Sequence, residues 1–121
     1  MKDQRWYIRY KIEATANLKT KTSGSSAIKT ELFDISYRGF GTWAEKKIEA
    51  GTDVEFEIIT KLWDEPIIGR GEVKYAQEAK KDQNTVFRLG IEFKEIDKKV
   101  LQSVINYLVE NICAEAKKKA A

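Results

Sequence analysis

Apolar and polar residues alternate along most of this chain. Tyr10, Ile12, Ala14, Ala16 and Leu18 take every second position, and Arg9, Lys11, Glu13, Thr15, Asn17 and Lys19 fill the gaps. A period of two belongs to a strand with one buried face. The run ends at Thr22-Ser23-Gly24-Ser25-Ser26, a cluster of turn formers. A second strand is expected from Ala27 to about Phe33, closing a long hairpin. Phe40 to Ala44 reads as a short strand, and Lys46 to Thr52 as a polar connection. Val54, Phe56 and Ile58 alternate with acidic residues in a further strand. Trp63-Asp64-Glu65-Pro66 makes a turn. Ile67 to Ala76 is a strand in which Gly69 and Gly71 mark a bulge or a sharp bend. Glu78 to Asn84 reads as a charged loop. Phe87, Leu89, Ile91 and Phe93 form the last strand.

The period then changes. Val100, Leu101, Val104, Ile105, Leu108 and Ile112 recur at three and four residues, which predicts an amphipathic helix over about 98–117. Asp97 is its expected cap, and Lys117, Lys118 and Lys119 suit the negative pole of its dipole. The expected fold is mainly β: a small antiparallel six-stranded barrel with one C-terminal amphipathic α-helix. The helix covers an open end of the barrel, or it also presents a face to a partner or a second copy.

The 121 residues fit one domain, 1–121, with an N-terminal arm of about 1–9, a barrel of about 10–95 and the helix. Net charge is only +3, from 22 basic and 19 acidic residues. That balance gives no general attraction for DNA, RNA or a membrane surface. An OB-type barrel for single strands would need a basic groove with aromatics, and acidic pairs such as Glu55 and Glu57 argue against one. No apolar run is long enough to span a membrane, so a cytoplasmic location is expected. With no histidine, no glycine-rich phosphate loop and no paired-carboxylate motif, neither catalytic residues nor a metal site are expected. The single cysteine, Cys113, permits no intrachain disulfide and reads as a structural thiol.

Two short clusters carry the chemistry. Arg5-Trp6-Tyr7-Ile8-Arg9 sets two arginines four residues apart, and Asp34-Ile35-Ser36-Tyr37-Arg38-Gly39 follows one hairpin later. In order, RxxxR and [DN]xSxxG resemble the two-part signature of PilZ domains, receptors for the second messenger cyclic di-GMP. Gly71-Glu72-Val73-Lys74-Tyr75 and Gly90-Ile91-Glu92-Phe93 resemble two further strands of that family. The resemblance runs from about Arg5 to Ile112.

The resemblance implies a ligand-binding set of Arg5, Arg9, Asp34, Ser36 and Gly39, with Gln4 and Tyr75 beside it. Arg5 and Arg9 would clamp phosphate and guanine, since a guanidinium fork matches both. Asp34 would accept from guanine N1 and N2. Ser36 would donate to a phosphate or base oxygen, and Gly39 would let the backbone turn and approach the ligand. Tyr75 is either an aromatic beside the guanine or a barrel-wall residue. Many family members carry an arginine where this chain has Gln4, a difference that bears on whether one or two ligand molecules bind. No cofactor is implied. The implied role is a receptor whose N-terminal arm wraps onto the barrel with ligand and regulates a partner protein or fused domain. The alternative is a PilZ-like interaction module that binds no nucleotide. The chain reads equally as a free-standing adaptor or as one domain of a longer protein.

Overall fold

The computed structural model describes residues 8–20, 27–61 and 63–120, with side chains to Glu110. Six strands form: β1 (Tyr10–Lys19), β2 (Ile28–Ile35), β3 (Gly39–Ala44), β4 (Asp53–Ile59), β5 (Ile67–Lys81) and β6 (Asn84–Ile96). The helix α1 (Lys98–Ala120) follows. All pairings are antiparallel, and the sheet closes in the order β1-β2-β3-β6-β5-β4.

The alternation read from the sequence maps onto the barrel wall. Ile12, Ala16 and Leu18 of β1 point inward and are buried, as are Val54, Phe56 and Ile58 of β4. Phe40, Phe56 and Phe93 meet at the centre with ring centroids 5.2 to 5.9 Å apart. Their edge-on and tilted contacts suit the ring quadrupole. Two buried threonines satisfy each other's needs. Thr42 donates its hydroxyl to Thr30 at 2.7 Å, and Thr30 donates to the Ala16 carbonyl at 2.8 Å.

Asp97 caps the helix as expected, its Oδ1 accepting from the N–H groups of Lys99 and Val100 at 3.0 and 3.3 Å. Leu101, Val104, Ile105 and Leu108 are buried, and α1 packs closest to β1. The helix therefore buries one apolar stripe as a lid on the barrel.

One expectation is overturned. Glu78 to Asn84 is not a loop. β5 continues to Lys81, turns through Asp82 and Gln83, and returns as β6 from Asn84. Both turn residues have positive φ, 51° and 67°, the geometry of a type I′ hairpin turn. Neither is glycine, so the strongest sequence signal for this turn is missing. Polar side chains are tolerated here because the hairpin outruns the barrel and buries little.

Register shifts sit at definite places. Phe33 is an extra residue in β2 against β3, and Lys74 is an extra residue in β5 against β6. Near Gly71 the extra residue is Lys94 of β6, so the bulge expected from the glycines lies on the facing strand.

Candidate functional site

Asp34, Gly41, Gly90 and Tyr75 are successive cross-strand neighbours on β2, β3, β6 and β5. They form one row across the outer wall of the barrel. Its middle is two glycines on which the Phe33 and Tyr75 rings lie, so the row is a floor of backbone and rings beside a carboxylate.

The bulges aim these walls. With Phe33 inserted, its ring lies against Gly41 and Asp34 also faces outward. A side-chain carbon at Gly41 would come within 2.7 Å of the Asp34 carboxylate and still closer to the Phe33 ring. With Lys74 inserted, Tyr75 lies against Gly90, where any side chain would collide with its ring. A side chain at either position would require the aromatic ring to move aside. Tyr75 thus stands on the outer face, in the same row as Asp34.

Asp34 is held from two directions. Its Oδ1 accepts from the Gly41 N–H at 2.9 Å and from Arg9 Nη1 at 2.8 Å. Arg9 remains 45% exposed while Asp34 is 14% exposed, so the arginine caps the carboxylate from the solvent side. Arg9 and Asp34 are thus brought together across 25 residues of sequence. Arg5 and Gln4 lie outside the described residues, as does nearly all of the N-terminal arm.

Ser36 is 3% exposed. Its Oγ accepts from the N–H groups of Arg38 and Gly39 at 3.2 and 3.3 Å and lies 3.3 Å from the Gly39 carbonyl. The Ser36 N–H also donates to that carbonyl, at 2.8 Å. Its visible work is to tie the tight bend that joins β2 to β3. Gly39 closes this bend without a positive φ. Its Cα instead abuts the Ile91 carbonyl of β6, so that a side chain would strike backbone. The glycine lets β3 and β6 approach closely.

Sequence reasoning missed several neighbours. The Arg88 guanidinium lies 4.9 Å from the centre of the Phe33 ring, and Phe33 packs on Trp43 at 5.3 Å. Trp43 is accordingly a packing group. On the other side of the row, Glu72 and Glu92 face each other across β5 and β6. The two bulge residues, Lys74 and Lys94, bracket that pair. Lys74 reaches Glu72 at 3.0 Å and Glu92 at 3.8 Å, and Lys94 reaches Glu92 at 3.2 Å and Glu72 at 3.8 Å. Arg38 adds a contact to Glu92 at 4.0 Å. The hydrogen bond from Lys74 holds the Glu72 carboxyl below its ordinary pKa, and Lys74 is raised in return. Glycine spacing was the one signal that could have found the floor: Gly41 and Gly90 both sit at outward positions of their strands.

Among the described residues no three acidic or thiol groups converge to hold a metal ion, and no helix is long and apolar enough to cross a membrane.

Known structures share this architecture. The PilZ domain of YcgR from Escherichia coli, solved with c-di-GMP, superposes with a TM-score of 0.72 at 20% identity, covering 92% of this chain and 95% of that one. K. pneumonia MrkH in its apo state gives 0.75 at 15% identity, covering 98% of this chain and 55% of its own. The Bacillus subtilis inhibitor of motility MotI/DgrA gives 0.72 at 16%, covering 93% and 53%. The chain therefore spans about half the length of the two longer proteins. No match to a curated protein was found by sequence. Residues 2–110 match the PilZ domain, nearly the whole chain, and the protein belongs to the PilZ domain family.

Proposed function

We propose that this protein is a receptor for cyclic di-GMP, binding it on the outer wall over Gly41 and Gly90. The observation that carries the reading is the Asp34 carboxylate, fixed by the Gly41 N–H beside the Phe33 and Tyr75 rings that lie on the glycine floor. Guanine offers adjacent N–H donors on its Watson–Crick edge, and a carboxylate accepts both. Adenine lacks that donor pair. The base would lie beside Asp34, against the Phe33 and Tyr75 rings that cover the glycines. Arg9, already at this carboxylate, would turn its remaining donors to phosphate or to guanine O6 and N7. Arg5, four residues earlier, would supply the second cation, and Gln4 would bear on whether one ligand or two are held.

Ser36 and Gly39 would act chiefly by holding the bend that presents Asp34. Family membership and the c-di-GMP in the YcgR structure support the ligand's identity. The output would be closure of the residue 1–9 arm onto the barrel, read by a partner protein or fused domain in the cytoplasm. No step of chemistry is required of the chain, and we assign it no catalytic role. The whole chain would act as one domain.

Calorimetric titration with cyclic di-GMP tests this. Saturable binding to the native chain, lost in Arg9→Ala, is the expected result. No heat, together with no rise in melting temperature at high ligand, would sink the receptor reading and leave an interaction module.

A further inference from the structure

The β5–β6 hairpin outruns its neighbours. β4 pairs with β5 only as far as Glu72, and Thr52 and Gly51 extend that edge by bonds to Val73. β5 nevertheless continues to Lys81, paired on its other side to β6 all the way to the turn. Among the described residues no backbone hydrogen bond reaches the β4-side edge from Tyr75 to Lys81. The type I′ turn keeps this hairpin a regular antiparallel ribbon. Such an edge is a template for another strand.

The side chains along it are ordered by sign. Glu78 and Lys80 are both exposed and flank Ala79. We propose that the occupant of this edge is a second copy of the same chain, paired antiparallel about a two-fold axis through Ala79. That register puts Glu78 of each copy opposite Lys80 of the other, twice, with Ala79 facing Ala79 at the axis, where small side chains let the strands approach. A two-fold pairing keeps the outer face beside the outer face, so the registers next to this one are centred on Glu78 or on Lys80. They set Glu78 against Glu78 or Lys80 against Lys80, and like charges directly opposite are unfavourable. Charges serving only to block the edge would not need opposite signs one residue either side of a small one. The dimer would join the two barrels into one continuous sheet through an isologous contact. The row from Asp34 to Tyr75 remains on the outer wall of each copy.

Sedimentation equilibrium of the full chain from about 10 μM to 1 mM at low salt tests the proposal. A monomer–dimer equilibrium is expected. Glu78→Lys should weaken it by roughly tenfold or more, because two attractive pairs become repulsive. The double change Glu78→Lys with Lys80→Glu should restore it, since the pairs are re-formed with signs reversed. Both positions are exposed, so the melting temperature should hold in all variants. A monomer throughout the range overturns the proposal. So does a dimer indifferent to Glu78→Lys, or one that the double change fails to restore.

Discussion

Two walls of this barrel are built on different rules. On one, Lys19, Glu55, Arg70 and Glu95 form a cross-strand row of alternating charge. The ladders joining β4 to β1 and to β5 run there without a register shift, and Arg70 is paired with Glu95. The other wall carries the row from Asp34 to Tyr75, with glycines where side chains would stand and bulges at Phe33 and Lys74. A regular ladder alternates its side chains evenly and leaves no room for a planar ligand. Bulges break that alternation, placing two outward groups side by side, and glycines let the Phe33 and Tyr75 rings lie close against the wall. Closure of the barrel is what permits it: the regular wall and the shared phenylalanine core hold the irregular one in shape.

The sharpest break between the walls is expected at Asp34. Asp34→Asn replaces an acceptor oxygen with an N–H₂ group facing the guanine donors. Binding of cyclic di-GMP should fall about 100-fold or more, as for loss of a charged hydrogen bond with a donor clash added. Glu55→Gln on the regular wall should leave binding unchanged in the same titration. Equal losses in the two variants would mean that the outer row is not the site.

Gly39→Ala is next, and it reads out as stability. The added carbon meets the Ile91 carbonyl and the Glu92 backbone, and neither can move cheaply. Overpacking of that kind costs about 2 kcal/mol. Thermal melting should show a drop of roughly 5–12 °C. Gly41→Ala separates the two roles. Its added carbon meets the edge of the Phe33 ring and the Asp34 carboxylate, side-chain atoms that can yield where backbone cannot, so the fold should absorb it while the carboxylate shifts. Affinity should fall about tenfold, with a smaller loss of melting temperature than for Gly39→Ala. The reverse order would make Gly39 the ligand-facing glycine.

These glycines also show what could be read from the chain. The strands of β1 and β4, the cap at Asp97 and the pairing of the first motif with the second were legible, because period, capping chemistry and motif order are local signals. The course of Glu78 to Asn84 was not. Its charged residues show no alternation, since a hairpin beyond the barrel has no buried face to impose one, and Asp82-Gln83 lacks the usual turn glycine. Bulges were hidden for a different reason. An extra residue is defined only against its partner strand, so nothing at Phe33 or Lys74 announces it. That is why the motifs mark Asp34 but not Phe33 or Gly41, and mark Gly90 only as part of a strand. Ser36 and Gly39 were found, but the motif alone does not tell a ligand contact from the bend that presents one.

The smallest effect belongs to the charges beside the row. Glu72 and Glu92 are opposed like charges, and the two bulge lysines offset their repulsion. The Glu72 carboxyl is held low chiefly by its hydrogen bond from Lys74, then by that cation's field. A lowered acid contributes stability above its ordinary range, about pH 4.3, and loses it as pH falls through the folded value. Lys74 is raised, chiefly by the same hydrogen bond, so its share is present below about pH 10.4 and is lost as pH rises through its folded value. Lys74→Met should therefore melt slightly below the native chain on a plateau between about pH 5 and 10, with the difference shrinking at either end. Both groups stand in solvent, so added salt should shrink the plateau as well. A difference that grew toward low pH would show that Lys74 acts on the bulge geometry itself, and then cyclic di-GMP affinity should fall with it, because Tyr75 is aimed by that same extra residue.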